Sequence, residues 1–257
     1  MIVCDKVSKA YGEAVVVNEV ELTIPAGGVT SVIGPNGAGK STLLSLIARL
    51  KNLSGGSVSV DGMDVTKVAS ETLAKRLAIL KQDNHLDIRL TVEDLVTFGR
   101  FPHCQGRPTT EDREYVERAI AYLDLGELRS RFLDELSGGQ RQRAFVAMVL
   151  AQDTDYVLLD EPLNNLDMKH SVAMMRMVRR AAEELGKTIV VVIHDINFAS
   201  FYSDRIVAMR DGKVVAQGTP EEIMTERVLE EIYSMRMHVT RSQQGKPVAM
   251  FFDAELL

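Results

Sequence analysis

Two short stretches, far apart in the chain, hold residue types that together do phosphate chemistry. Gly34-Pro35-Asn36-Gly37-Ala38-Gly39-Lys40-Ser41 fills every fixed position of the pattern G-x-x-x-x-G-K-[ST], between an apolar β-branched run and an apolar-periodic run that begins at Thr42. Glycines let backbone N–H groups turn inward around a β-phosphate, and a helix starting there adds the positive end of its dipole. Lys40 supplies a compact positive charge to β- and γ-phosphates, and the Ser41 hydroxyl is suited to Mg²⁺. The second stretch, Val157-Leu158-Leu159-Asp160-Glu161, has the pattern of a buried strand that ends in two carboxylates. Ligands of open α/β sheets bind beyond the C-terminal ends of strands. Asp160 is then placed to hold Mg²⁺ through water, and Glu161 to polarise an attacking water. Together these residues predict Mg²⁺-dependent hydrolysis of a nucleoside triphosphate.

The elements that must position them alternate between strand and helix patterns. Val15-Val16-Val17 lead into an alternating run of Val20, Leu22 and Ile24, residues 29–33 form a short β-branched run that stops at Gly34-Pro35, and residues 42–50 have helical periodicity. Val58 and Val60 lead into Asp61-Gly62, a hairpin signal. From about residue 85 to 135 the composition changes. Thr91-Val92-Glu93-Asp94 reads as a capping box opening a helix that residues 99–102 close. A charged amphipathic run over 111–125 follows, with Thr109 or Thr110 as its N-cap. Residues 156–159 and 189–193 are uniformly apolar, as in strands buried on both faces of a parallel sheet covered by helices. Thr219-Pro220 opens a late helix, and from Thr240 onward the pattern is weak.

The 257 residues carry 30 Lys and Arg against 36 Asp and Glu, a formal net charge of −6. That balance argues against an electrostatic nucleic-acid binder, because phosphate-backbone affinity needs a basic face. The longest apolar runs, 144–151 and 189–193, fall short of the roughly 20 residues that a membrane helix needs. No apolar secretory core is visible at the start. Cys4 and Cys104 are the two cysteines, without a C-x-x-C, which excludes a disulfide framework and points to a reducing compartment. His85, His103, His170 and His238 show no metal-ligand spacing. A soluble cytosolic protein is expected.

Leu136-Ser137-Gly138-Gly139-Gln140, followed by Arg141-Gln142-Arg143, reads as a Ser-capped helix start whose glycines expose backbone N–H groups to an anion. It resembles the signature motif of ATP-binding cassette (ABC) proteins, and it precedes the Asp160-Glu161 strand as in that family. The resemblance covers roughly residues 1–239. It implies a P-loop NTPase fold of α/β class: a core with a mostly parallel sheet, an N-terminal antiparallel β subdomain and an inserted α-helical subdomain. The divisions expected are 1–84 for the β subdomain and the first part of the core, 85–150 for the insert ending in the signature helix, 151–220 for the second part of the core, and 221–257 for a C-terminal helix and tail. ATP and Mg²⁺ are the implied ligands. The signature motif implies a head-to-tail dimer, in which Ser137, Gly138, Gly139 and Gln140 complete the site of a second copy. Gln82 matches the family's Mg²⁺-sensing glutamine, His194 its switch histidine at the γ-phosphate, and Tyr11 the aromatic that stacks on adenine. Asn164-Asn165-Leu166-Asp167 departs from the usual Ser-Ala-Leu-Asp in its first two residues.

A single cassette with no membrane span implies a permease on separate chains and a peripheral place on the cytoplasmic face of the membrane. Phe98-Gly99-Arg100-Phe101-Pro102-His103 resembles the Gly-Arg-x-Pro-His segment of cassettes serving ferric siderophore, haem and vitamin B12 importers. The expected function is the energy-coupling ATPase of a ferric siderophore importer, served indirectly by an extracytoplasmic substrate-binding protein. The alternatives are a haem or cobalamin importer, or a non-transport ABC ATPase. Leu95, Val96, Phe98 and Phe101 cannot all face the insert's own core at helical periodicity, so part of this stretch is expected to meet the permease.

Overall fold

Period-2 patterning near the start becomes an antiparallel hairpin: Ile2–Tyr11 (β1) pairs with Ala14–Ile24 (β2), and Val7, Val17, Val20 and Leu22 turn one face inward. The computed structural model describes residues 1–82 and 88–256, the last five of these by backbone alone; His85 lies outside them. Gly28–Ile33 (β3), buried from Val29 on, leads through the glycine-rich turn into Lys40–Ile47 (α1). The helix expected over 42–50 is shifted because Gly39 (φ 95°) ends the loop earlier and Arg49 (φ 55°) leaves the helical region. Gly55–Val60 (β4) and Met63–Asp64 (β5) form the hairpin signalled by Asp61-Gly62, both of which take positive φ. These strands make an antiparallel sheet in the order β2-β1-β4-β5.

Ser70–Ala74 (α2) and Leu77–Leu80 (β6) lead to the helical part, in which Val92–Phe98 (α3), Phe101–Cys104 (α4), Thr110–Tyr122 (α5) and Gly138–Ala151 (α6) follow. Thr91, Thr109 and Ser137 cap their helices in reciprocal capping boxes with Asp94, Asp112 and Gln140. α3, α5 and α6 share one core, which includes Leu95, Val96, Ile120 and Phe145. The Gly99-Arg100 pair sits where α3 and α4 meet α6. A Cβ on Gly99 would lie 2.0 Å from the Met148 carbonyl of α6, and buried Arg100 donates to Asp112 and to the Ala151 carbonyl.

Tyr156–Asp160 (β7), Met168–Glu184 (α7), Thr188–Val192 (β8), Ile196–Tyr202 (α8), Arg205–Arg210 (β9) and Lys213–Gly218 (β10) complete the core. The six-stranded sheet runs β10-β9-β3-β8-β7-β6 and is parallel except at β10. Every residue of β7 and β8 is buried, as their uniformly apolar sequence requires. Pro220–Ile223 (α9) and Glu226–Tyr233 (α10) follow. Beyond them Met235–Arg241 (β11) and Pro247–Leu256 (β12) pair antiparallel. Exposed Met250 and Phe251, and a register shift between Arg236 and His238, blur the alternation that would have announced this hairpin. α8 holds it: Asn197 exchanges two hydrogen bonds with the Ala249 backbone, and Ser200 donates to the Pro247 carbonyl at 2.6 Å. Among the described residues no helix is long and apolar enough to cross a membrane.

Candidate nucleotide site

β3 delivers the chain to Gly34, whose φ of 138° suits glycine; a Cβ there would lie 2.0 Å from the Met209 carbonyl of β9. The turn then folds over the N-terminus of α1. Lys40, the first residue of that helix, reaches back so that Nζ donates to the Gly34 and Pro35 carbonyls at 2.8 Å each. Lys40 is only 5% exposed; burial lowers its pKa, against the opposing pull of the Glu161 and Asp160 carboxylates. The Ser41 hydroxyl donates to Asp160 Oδ1 at 2.7 Å and so ties the loop to the end of β7. Burial raises the pKa of Asp160, the Ser41 bond opposes that rise, and neighbouring Glu161 adds to it.

As the chain leaves β7, Glu161 takes φ 51° and turns its carboxylate toward three donors. Gln82 Nε2, just beyond β6, donates to Oε2 at 2.7 Å, and Asn164 Nδ2 donates to the same oxygen at 2.5 Å. His194 Nε2, just beyond β8, lies 2.8 Å from Oε1. Residues Asn36, Gly37, Ala38, Gly39, Lys40, Ser41 and Thr42 share a cleft of 480 Å³ with Gln82, Glu161, Asn164 and His194. Parallel strands explain this convergence, since β3, β6, β7 and β8 all point their C-terminal ends to the same edge of the sheet.

Gly34-Pro35 and Asp160 adjoin lining residues in the chain without lining the cleft themselves, and two further groups of expected site residues stand apart. Tyr11 is 45% exposed at the tip of the β1–β2 hairpin, outside the lining of the cleft, with the Lys9 and Lys51 ammonium groups 5.0 and 5.1 Å from its ring centre. Val16 of the same hairpin does line the cleft. Ser137, Gly138, Gly139 and Gln140 also lie outside the lining, where the Ser137 hydroxyl accepts from the Gln140 amide at 3.3 Å. Asn164 is the residue that sequence reasoning passed over; the available signal was an amide three places after a strand-end carboxylate.

The oxygen atoms present fit Mg²⁺. Ser41 Oγ and Asp160 are hard donors at the phosphate loop, and Gln82 uses Nε2 toward Glu161, which leaves Oε1 as an acceptor. Mg²⁺ keeps several waters and takes few protein ligands beside phosphate oxygens. Among the described residues, no group of three or more His, Cys, Asp or Glu forms a rival metal site.

Comparison with known proteins agrees with this geometry. The ABC transporter family model matches residues 17–164. The petrobactin import ATP-binding protein of Bacillus subtilis is 56% identical over 98% of this chain and 100% of its own length. The ferric enterobactin transport ATP-binding protein of Escherichia coli is 41% identical over 96% of this chain and 92% of its own. A solved dimeric ATP-binding cassette in a post-hydrolysis state, bound to ADP and Pi, matches with a TM-score of 0.75 at 30% identity, covering 85% of this chain and 98% of that one. With a phosphate loop, paired strand-end carboxylates and a capped Ser-Gly-Gly-Gln helix on one α/β core, the chain belongs to the ABC transporter family, as one of its ATP-binding cassettes.

Proposed function

We propose that this cassette is the ATP-hydrolysing, energy-coupling subunit of a ferric siderophore importer. The observation that carries the hydrolytic part is the meeting of Lys40, Ser41, Glu161, Gln82 and His194 in one cleft, with Asp160 bonded to Ser41 beside it. In this reading the backbone amides of residues 36–42 wrap the β- and γ-phosphates, and Lys40 Nζ exchanges the Gly34 and Pro35 carbonyls for phosphate oxygens. Ser41, Gln82 and Asp160 would hold Mg²⁺, which when bound neutralises charge on the phosphate oxygens. Glu161 accepts a proton from the water that attacks the γ-phosphorus, while the bond to the β-phosphate oxygen breaks and ADP leaves. His194 steadies that water and the γ-phosphate. Tyr11, beyond Val16, stacks on adenine.

The signature turn at Ser137 lies outside its own cleft, which supports its use on the γ-phosphate of a second copy in a head-to-tail dimer; the matched cassette structure is itself dimeric. Leu95 and Val96 are buried, whereas Phe98 and Phe101 are 50% and 55% exposed, and this apolar pair supports a docking surface for a membrane permease. Such a subunit works from the cytoplasmic face of the membrane and depends indirectly on an extracytoplasmic binding protein. The siderophore class is supported by what the relatives from Bacillus subtilis and Escherichia coli are named for. The test has two parts: phosphate release by the purified chain with ATP and Mg²⁺, and ferric siderophore uptake by cells whose only copy carries Lys40→Ala. Absence of turnover, or unchanged uptake, overturns the reading.

A further inference from the structure

The loop after β7 departs from the family's usual Ser-Ala-Leu-Asp at two neighbouring positions, and the structure gives each a separate physical reason. Asn165 takes φ 61°, the left-handed region that asparagine tolerates better than most side chains. Asn164 does something different. Its backbone N–H donates to the Glu161 carbonyl at 3.2 Å, and its side-chain Nδ2 donates to Glu161 Oε2 at 2.5 Å. One residue thus closes a turn on the main chain and on the carboxylate that the turn presents. The atom facing the carboxylate must be the amide nitrogen, because the amide oxygen there would repel it. Nδ2 also stands one bond further from the backbone than a serine hydroxyl, which is the reach this contact uses.

We infer that Asn164 is a positioning residue: with Gln82 and His194 it fixes the rotamer of Glu161 so that the carboxylate faces the cleft. Gln82 and His194 come from other strands, and either can withdraw if its segment moves. Asn164 belongs to the same short turn as Glu161 and travels with it. Glu161 therefore keeps one donor throughout a cycle of nucleotide binding and release. The inference rests on the reading of Glu161 as the base.

An isosteric substitution separates donation from mere space filling. Asn164→Asp keeps the shape but replaces the donor by an oxygen that faces another carboxylate; Asn164→Ala removes both. With donation, kcat for ATP falls about 10- to 100-fold in both variants, at least as far in Asn164→Asp, while KM stays within about twofold. Thermal unfolding gives a second readout that needs no activity. Asn164→Asp lowers Tm by about 2–4 °C when Glu161 is present, but not in the Glu161→Gln background, where an introduced amide meets the introduced carboxylate. Wild-type kcat in Asn164→Asp, a loss carried by KM, or an equal Tm shift in both backgrounds overturns the inference. A wild-type chain without ATP turnover, or Glu161→Gln at full rate, instead undoes the reading of Glu161 as base, and the paired Tm measurement still decides whether Asn164 holds its carboxylate.

Discussion

The Arg100 guanidinium donates to Asp112 Oδ1 at 2.9 Å, with both side chains buried between α5 and the end of α6. Burial alone would raise the Asp112 pKa, but hydrogen bonds from Thr109 and the Arg100 charge outweigh it, and the folded-state value lies below the ordinary carboxylate range. A depressed folded pKa means that this carboxylate adds stability above its unfolded pKa of about 3.9 and loses it as pH falls through the lower folded value. Asp112→Asn leaves Arg100 buried without its counter-charge and should cost roughly 3 kcal/mol at neutral pH. Urea unfolding should show the gap between variant and wild type narrowing below about pH 4. A gap that is the same on both sides of that pH contradicts the assignment.

Glu161→Gln preserves shape but removes the carboxylate that we propose accepts the proton. ATP binding should persist while steady-state phosphate release drops about 10²- to 10⁴-fold. Lys40→Ala should act differently, by weakening nucleotide binding itself, because the phosphate contact proposed for it would already be made before the transition state. Fluorescent-nucleotide titration alongside turnover separates the two; matching profiles for both variants would remove the distinction.

Ser137 caps α6 and lies outside the lining of its own chain's cleft. In the Glu161→Gln background, ATP and Mg²⁺ should shift the chain from monomer toward dimer. Adding Ser137→Arg should block that shift by placing bulk and charge where a second copy's γ-phosphate would sit in the proposed dimer. Light scattering that finds equal dimer fractions with and without the substitution would count against a composite site.

Phe101 is more than half exposed on the surface of the helical insert. Phe101→Asp should therefore leave the fold and the ATPase rate of the free chain within about twofold, since exposed substitutions rarely cost more than about 0.5 kcal/mol. Ferric siderophore uptake by the assembled transporter should fall sharply. Survival of both activities would move the coupling surface elsewhere.

The features legible in the sequence are those that local backbone geometry dictates. A phosphate loop needs its glycines and lysine at fixed spacing, a capping box needs Thr91 three residues before Asp94, and the Asp61-Gly62 turn needs two positive φ angles. Each is written within a few residues. Features carried by partners far apart were silent: Arg100 with Asp112 and Ala151, or Asn197 with Ala249, are contacts that only the folded chain brings together. Asn164 was hidden for another reason. Its partner is close, but nothing in the residue types says that the turn after β7 bends an amide back onto Glu161.

β3, which leads into the phosphate loop, has both of its sheet neighbours far downstream: Val29 pairs with Ile189 on β8, and Thr30 with Arg205 on β9. During synthesis the loop therefore emerges from the ribosome long before the strands that brace it. An amino-terminal fragment ending before β8 would carry the whole Gly34–Ser41 motif yet lack the scaffold that gives it shape. Nucleotide binding is thus a late acquisition of the growing chain, and folding must close widely separated contacts, the kind of topology that folds slowly.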